Sequence, residues 1–567
     1  MAESKKKPEA ADKPKGPSDP ILANRETVES IIVAVILALL FRAFVAEAFV
    51  IPTGSMAPTL MGRHVDVWCD ECKYHYTGSA SVERDSADDS YTNALVVDSR
   101  CPNCGFRKPL DRTFWSNENS FSGDRIIVSK FAYELGQPQR WDVIVFKYPE
   151  RAQQNFIKRL IGLPGETITI SGGNIYVQSP GGEVTQIARK PDDKLLAVLQ
   201  VVHDADFASP QLRQAGWPQR WQPHGNDDAW KSDELGTTHT LSAVSQDTLI
   251  RYHHFDPSET NWEAIDRGDT LAVDQNWRGR LISDFYGYNC TRATRRDDPE
   301  SPPGFRDGNS AAFGQYWVDD LGVECEVELA EATGEVVLDL VRGGGHYVCR
   351  IDAKTGKARL SAKDADGTVL LHGIEAQTSV TGPGSYSLRM TNVDHELRLW
   401  VNGWRVTFEA GTSYESERRI MPDVQSPDGD LAPVGVGGNN QALTVRHLRV
   451  LRDKYYIACK SKDGTNYIES EYEYEPSSYE IAELLSHPDN PRFAELLHSR
   501  REQVFELTEN QFLPMGDNSP ASSDARYWQT HHVERRLLVG RAIFIYWPHS
   551  WNMPPFLPNF RKMQPIR

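Results

Sequence analysis

Apolar residues follow four different patterns along the chain. Residues 30–50, SIIVAVILALLFRAFVAEAFV, form a nearly unbroken apolar run. At ~1.5 Å per residue, a helix of that length crosses a ~30 Å hydrocarbon core, so a single transmembrane helix is expected there. Its exceptions, Arg42 and Glu47, stand toward the C-terminal end, where long side chains reach the interface. A cleaved signal peptide is the rival reading, since it too joins a basic region to an apolar core. The run is longer than such a core, and no small-x-small site leads to a convincing mature start. Residues 123–177 differ: GDRIIVSKFAY, WDVIVFKYP, FIKRLIGLPGETITI and NIYVQ are short, β-branched and bounded by Gly, Pro or Asp, which predicts strands.

Between about residues 190 and 450, short alternating runs recur between Gly, Asn and Asp. In HELRLWVNGWRVTFEAG, Leu397, Leu399 and Val401 fall on one face. Asn402-Gly403 supplies a two-residue turn, and Val406 and Phe408 resume the alternation. VECEVELA, GEVVLDLV, HYVCRID, KARLSAK and YSLRMTNV repeat the pattern. So many short strands predict a β-sandwich large enough to hold its own core. Residues 476–507 switch to helical spacing and predict a helical hairpin. Ser477 or Ser478 caps its first helix, and Asn490 or Pro491 opens the second. FLPMGDNSPASSDARYW and LLVGRAIFIYWP return to strand and turn signals.

Composition narrows the choices. A chain of 567 residues exceeds one compact domain. The net charge of −17 excludes a nucleic-acid partner, which needs a concentrated basic face. The mean hydropathy of −0.52 leaves room for one span, not many. Lys5, Lys6, Lys7, Lys13, Lys15 and Arg25 precede the apolar run, and no Lys or Arg follows it before Arg63. That asymmetry puts a disordered tail, residues 1–29, in the cytoplasm and everything after residue 50 outside.

Two residues suggest chemistry. Ser55 lies between Gly54 and Met56, flanked by Pro52 and Pro58, where helix is disfavoured and the backbone constrained. No His–Asp pair accompanies it, so its activator would be a neutral lysine. Lys158 sits among apolar neighbours in Phe156-Ile157-Lys158-Arg159-Leu160. In a strand it faces away from Ile157 and Arg159, and burial would lower its pKa. Taken singly, a Gly-Ser pair proves little, and a strand lysine is usually a surface residue.

Four ordered blocks change that balance. FRAFVAEAFVIPTGSMAPTL, GDRIIVSKFAY, WDVIVFKYPERAQQNFIKRLIGLPGETI, and MGDNSPASSDARYW with LVGRAIFIYWP resemble bacterial type I signal peptidases. The resemblance implies a membrane-bound serine endopeptidase that removes signal peptides from exported preproteins. It implies Ser55 as nucleophile and Lys158 as general base, with Thr53 and the Ser55 N–H as oxyanion hole. Ser522 would orient the lysine, with Ser523 as its rival in register. Asp524 and Arg526 would form a supporting ion pair, on a turn carried by Gly516, Asp517 and Asn518. Phe49, Ile51, Pro52, Met56, Leu60, Phe156 and Ile157 would line pockets for small residues at the −3 and −1 positions of the substrate. The implied setting is the bacterial cytoplasmic membrane, with the bilayer and the secretion translocon as neighbours.

The expected fold is therefore mainly β, with one N-terminal transmembrane helix over 30–50. The catalytic core comprises 51–64 with 123–189 and then 454–567, and is split by two inserts. Residues 190–453 form the sandwich, similar to concanavalin-A-like or laminin-G-like jelly rolls. It is either a spacer or a binder of envelope polymers or proteins. In the second case the chain would be a tethered receptor with a vestigial peptidase core. Residues 65–122 hold Cys69, Cys72, Cys101 and Cys104. Two C-x2-C pairs suit a structural tetrathiolate zinc ribbon, although the 28-residue gap is long and an oxidising compartment favours disulfides. No cofactor is expected for catalysis. Cys290, Cys325, Cys349 and Cys459 are expected as strand-buried thiols or a disulfide.

Overall fold

The structure, a computed structural model, describes residues 20–40, 45–86, 88–113, 118–271, 273–274, 276–304, 314–462, 467–474, 477–548 and 559–567. Strands predominate. One antiparallel sheet carries Lys158 and leads into the turn that holds Ser55. Its order is Ala46–Val50, Arg125–Ser129, Leu538–Trp547, Val143–Tyr148, Arg151–Gly162, Gln511–Met515 and Val533–Glu534, with Gln564–Pro565 added to Leu538–Trp547. Both ends of the chain thus build it, and Leu538–Trp547 lies between two strands from the first third. A four-stranded sheet, Thr185–Ile187, Asn174–Gln178, Thr167–Ser171 and Gln503–Glu506, packs on it. Phe146, Leu160, Ile168, Phe505 and Phe512 fill the shared core.

The expected helix over 30–50 is not what forms. The helix spans Pro20–Leu40, and Ala46–Val50 is a strand paired with Arg125–Ser129. The physical reason is pairing: all five residues find partners along Arg125–Ser129, and Glu47 meets Lys130 at 2.8 Å. No helix among the described residues is long and apolar enough to cross a membrane. Residues 41–44, including Arg42, and the basic tail at 1–19 lie outside the described residues. The hairpin expected over 476–507 also ends early. Its helices are Ser478–Ser486 and Pro491–His498, capped by Ser477 and Asn490. Gln503–Glu506, with alternating burial, joins the sheet instead.

Apart from Thr291–Arg295, the strands between Gln200 and Arg452 form two large antiparallel sheets with one shared core, which includes Trp221, Leu338, Tyr347, Leu388, Leu399 and Val450. Asn402 and Gly403 both take positive φ, as a tight hairpin turn requires. The strand after them covers only Trp404–Arg405. Within Glu396–Val401, Arg398 and Trp400 are buried along with the alternating apolar residues, so both faces are covered.

Residues 65–122 do not stand apart in space. Their hairpins, His64–Trp68 with His75–Ser79 and Ala94–Arg100 with Arg107–Pro109, are joined by Thr291–Arg295 from the large insert. Leu212, Trp217, Phe255 and Trp262 complete their core. So short a segment cannot bury a core alone and borrows one.

Candidate active site

Ser55 lies in a single 3-10 turn, Gly54–Met56, entered from the extended Thr53. The turn is closed by Ala57 N–H to Gly54 O, 3.0 Å, and followed by Leu60 N–H to Met56 O, 2.9 Å. Gly54 is needed for space: a Cβ there would stand 2.2 Å from Tyr288 Cε1. Opposite, strand Arg151–Gly162 pairs with Val143–Tyr148 and presents Lys158. Lys158 Nζ lies 2.7 Å from Ser55 Oγ, with the residues 4% and 7% exposed. Burial pulls the Lys158 amine down to about 8. Asp524 and Asp517 oppose that shift, and Arg526 reinforces it. The Nζ also stands 5.7 Å from the ring centroid of Phe156, which stacks on Tyr148 at 4.6 Å.

The turn after Met515 grips the Ser55 turn from behind. Asn518 donates its backbone N–H to Ser55 O at 3.0 Å and its side-chain amide to Gly54 O at 3.2 Å. Asp517 takes a bidentate bond from Arg159, 2.7 Å on each arm. Thr59 also bonds to the Asp517 carboxylate, and Lys454 to its carbonyl. Burial alone would raise Asp517, but Arg159 and Lys454 hold it at about 2. Asp524 and Arg526 pair at 2.8 Å with neither exposed, and Asp524 accepts the Gly516 N–H at 2.9 Å.

Ser522 departs from expectation. It is buried against Gly516, where an added Cβ would lie 2.0 Å from its Oγ and 2.6 Å from Ser55 O. Its hydroxyl nevertheless makes no hydrogen bond, while the Lys158 amine bonds to Ser55. Ser523 is exposed, so the buried register belongs to Ser522. Thr53 is half-buried, and its hydroxyl makes no capping bond to the turn. Ile51, Met56 and Leu60 are buried in one cluster, with Phe49 and Ile157 packed at its edge. Met56 and Leu60 are fully covered and form floor rather than wall. Phe156 belongs to a separate aromatic group with Tyr148 and Trp528, and Pro52 is exposed.

Several neighbours escaped the sequence reading. Asn289 and Asn518 exchange two amide bonds, 2.9 and 2.8 Å, so the large insert reaches the turn that backs Ser55. Nothing in the sequence near Asn289 signals this. Arg159 had a signal: a charged residue inside an apolar strand requires a carboxylate partner. Lys454 is a second buried lysine brought down to about 8 by burial, but its amine is occupied by the Asp517 carbonyl. A cavity of about 210 Å³, lined by Pro58, Tyr76, Tyr286 and Tyr288 among others, includes neither Ser55 nor Lys158.

Comparison with known proteins follows the same segments. The family model described as signal peptidase, peptidase S26, matches residues 24–81, 104–247 and 445–547, together more than half of the chain. The signal peptidase I of Leptolyngbya laminosa is 31% identical over 191 residues, which cover 32% of this chain and 62% of that protein. The signal peptidase I of Pseudomonas aeruginosa is 47% identical over 58 residues, covering 8% of this chain and 20% of the relative. The chain thus spans less than two thirds of the length of these curated relatives. A sheep galectin-11 structure, complexed with glycerol, aligns with 23% of this chain and 89% of its own at 13% identity, with a TM-score of 0.17. That similarity is too low to bear on function. Family membership rests instead on the matched segments, which carry the Ser55 turn, the Lys158 strand and the Asp517–Arg526 loop: the chain belongs to the signal peptidase family, peptidase S26.

Proposed function

We propose that this chain is a membrane-anchored serine endopeptidase that removes N-terminal signal peptides from exported preproteins. The observation that carries the reading is the buried contact of 2.7 Å between Lys158 Nζ and Ser55 Oγ. With an ordinary lysine, roughly one amine in a thousand is neutral at pH 7.5, whereas at a pKa of about 8 roughly one in four is. Neutral Lys158 takes the Ser55 proton as Oγ attacks the scissile carbonyl. The same amine then protonates the leaving nitrogen. It next activates the water that hydrolyses the acyl-enzyme. The Ser55 N–H and the Thr53 hydroxyl stabilise the oxyanion. Phe49, Ile157 and Phe156, half-buried beside the dyad, favour small side chains at −3 and −1.

Anchoring is part of the proposal. The helix Pro20–Leu40 exposes Ile31, Ile32, Val33, Val35, Ile36 and Leu37 by half or more. Such an all-round apolar surface suits a lipid environment better than water. With the basic tail held in the cytoplasm, the catalytic domain lies outside the bacterial cytoplasmic membrane, beside the translocon's exit. The covalent link from helix to nucleophile is short, so the dyad works where cleavage sites emerge. The test is cleavage of a preprotein with an Ala-x-Ala site by the purified full chain. Ser55→Ala and Lys158→Ala should both abolish it, and retained cleavage in either variant would sink the mechanism.

A further inference from the structure

Away from the dyad, the densest set of reactive side chains is Cys69, Cys72, Cys101 and Cys104. All four are buried, and their Sγ atoms lie within 4.8 Å of one another. The cross-knuckle pairs Cys69–Cys104 and Cys72–Cys101 are 3.5 and 3.6 Å apart. Thiolates at ~2.3 Å from a tetrahedral zinc stand ~3.8 Å from each other, close to this spacing.

The backbone makes an independent case. Two loops that share only their C-x2-C spacing adopt one conformation. In the first, Lys73 N–H bonds to Cys69 O at 3.0 Å and Cys69 N–H to Tyr74 O at 2.9 Å. In the second, Gly105 N–H bonds to Cys101 O at 3.0 Å and Cys101 N–H to Phe106 O at 2.8 Å. Each loop closes on a residue of positive φ, 64° at Lys73 and 75° at Gly105. Glycine takes that conformation freely and lysine does not, so the first loop holds its shape against preference. The shared shape aims two sulfurs from each loop at one point. Lys108 then braces the loops by an ion pair with Asp70 at 2.9 Å, and Trp262 Nε1 donates to Cys104 O at 3.0 Å.

We propose that these four cysteines bind one Zn²⁺ as a closed tetrathiolate site. Binding releases four thiol protons and leaves no open coordination position, so the ion's role is structural. It locks a module that leans on the nucleophile. Asn103 in the second loop bonds to Asp204 and Phe207 of the large insert. Pro102 packs on Gly287, where an added Cβ would come within 2.8 Å of it. The next residues, Tyr288 and Asn289, touch Gly54 and Asn518.

The test uses the full-length protein in detergent, purified without added chelator. Elemental analysis should find one zinc per chain. Titration with a thiol-binding mercurial should release that zinc to a chromogenic chelator in step with the modification of four thiols. Cobalt exchanged into the site should show the absorption of a tetrahedral tetrathiolate. Cys72→Ser and Cys101→Ser should lose the zinc and shift thermal unfolding downward, and the wild-type titration stands if either variant fails to fold. A metal-free protein, iron in place of zinc, or disulfides among these cysteines by non-reducing peptide mapping would each overturn the proposal. The result is independent of the peptidase reading, because Ser55→Ala should carry the same zinc.

Discussion

Two lysines in this chain are equally buried and opposite in chemistry. Lys158 and Lys190 are each 4% exposed. Lys158, in the core sheet, meets a hydroxyl and is pulled down by burial to about 8. Lys190, at the seam with the large insert, meets Asp394 at 2.6 Å and Asp453 at 2.7 Å. Burial pushes Lys190 down too, but the two carboxylates outweigh it and raise its pKa. Burial alone therefore does not make a base; the partner decides whether a buried amine is kept charged or readied to accept a proton. The first arrangement suits reaction and the second suits fastening.

The sharpest break of this comparison is functional. Lys158→Ala and Ser55→Ala should each lower preprotein cleavage by ~10³-fold or more, whereas a substitution at Lys190 should act only through folding. Next comes stability, where the two sites should respond with opposite signs. Lys190→Met leaves two buried carboxylates unpaired and should cost ~3–5 kcal/mol by urea unfolding. Lys158→Met removes a destabilised charge and should gain up to about 3 kcal/mol at pH 7. The sign follows from linkage: with the folded pKa near 8, below the unfolded value of 10.5, the penalty is complete below pH 8 and relieved as pH rises from 8 to 10.5. Lys190, raised in the folded state, adds no pH dependence across that neutral range.

A smaller effect should appear in the rate profile. If neutral Lys158 is the base, kcat/KM should climb about tenfold between pH 7 and pH 9, with a midpoint near 8. A flat profile would assign the proton to another group. The smallest expected effect tests the insert's reach: Asn289→Ala strips Asn518 of both amide bonds and should lower kcat by roughly tenfold or less with KM little changed.

Much of this was legible before the structure. The core strands and the hairpin at Asn402-Gly403 followed from alternation and turn chemistry, and the Ser55 and Lys158 blocks from resemblance. Three things were not. Ala46–Val50 read as the end of an apolar helix because its composition continues the apolar run, and only pairing with Arg125–Ser129 makes it a strand. Gln503–Glu506 read as helix because a helical run precedes it, while its place was decided by the edge of Thr167–Ser171. Asn289 was invisible, since a polar residue in a loop gains a role only from what folds against it. The Ser522 hydroxyl shows the reverse limit: the family resemblance implied a bond to Lys158, and the packed site gives this hydroxyl no partner.

The order of the core sheet bears on timing. Leu538–Trp547 fits between Arg125–Ser129 and Val143–Tyr148, and the Asp517–Asn518 clamp also comes late in the chain. A ribosome delivers the Ser55 and Lys158 segments first and this closing strand last. Until it arrives, the sheet has a gap at its middle and the Ser55 turn has no backing. Closing that gap joins segments far apart in the chain, which makes it a slow step in folding. A chain not yet made past Trp547 therefore holds Ser55 and Lys158 without the strand and clamp that bring them together.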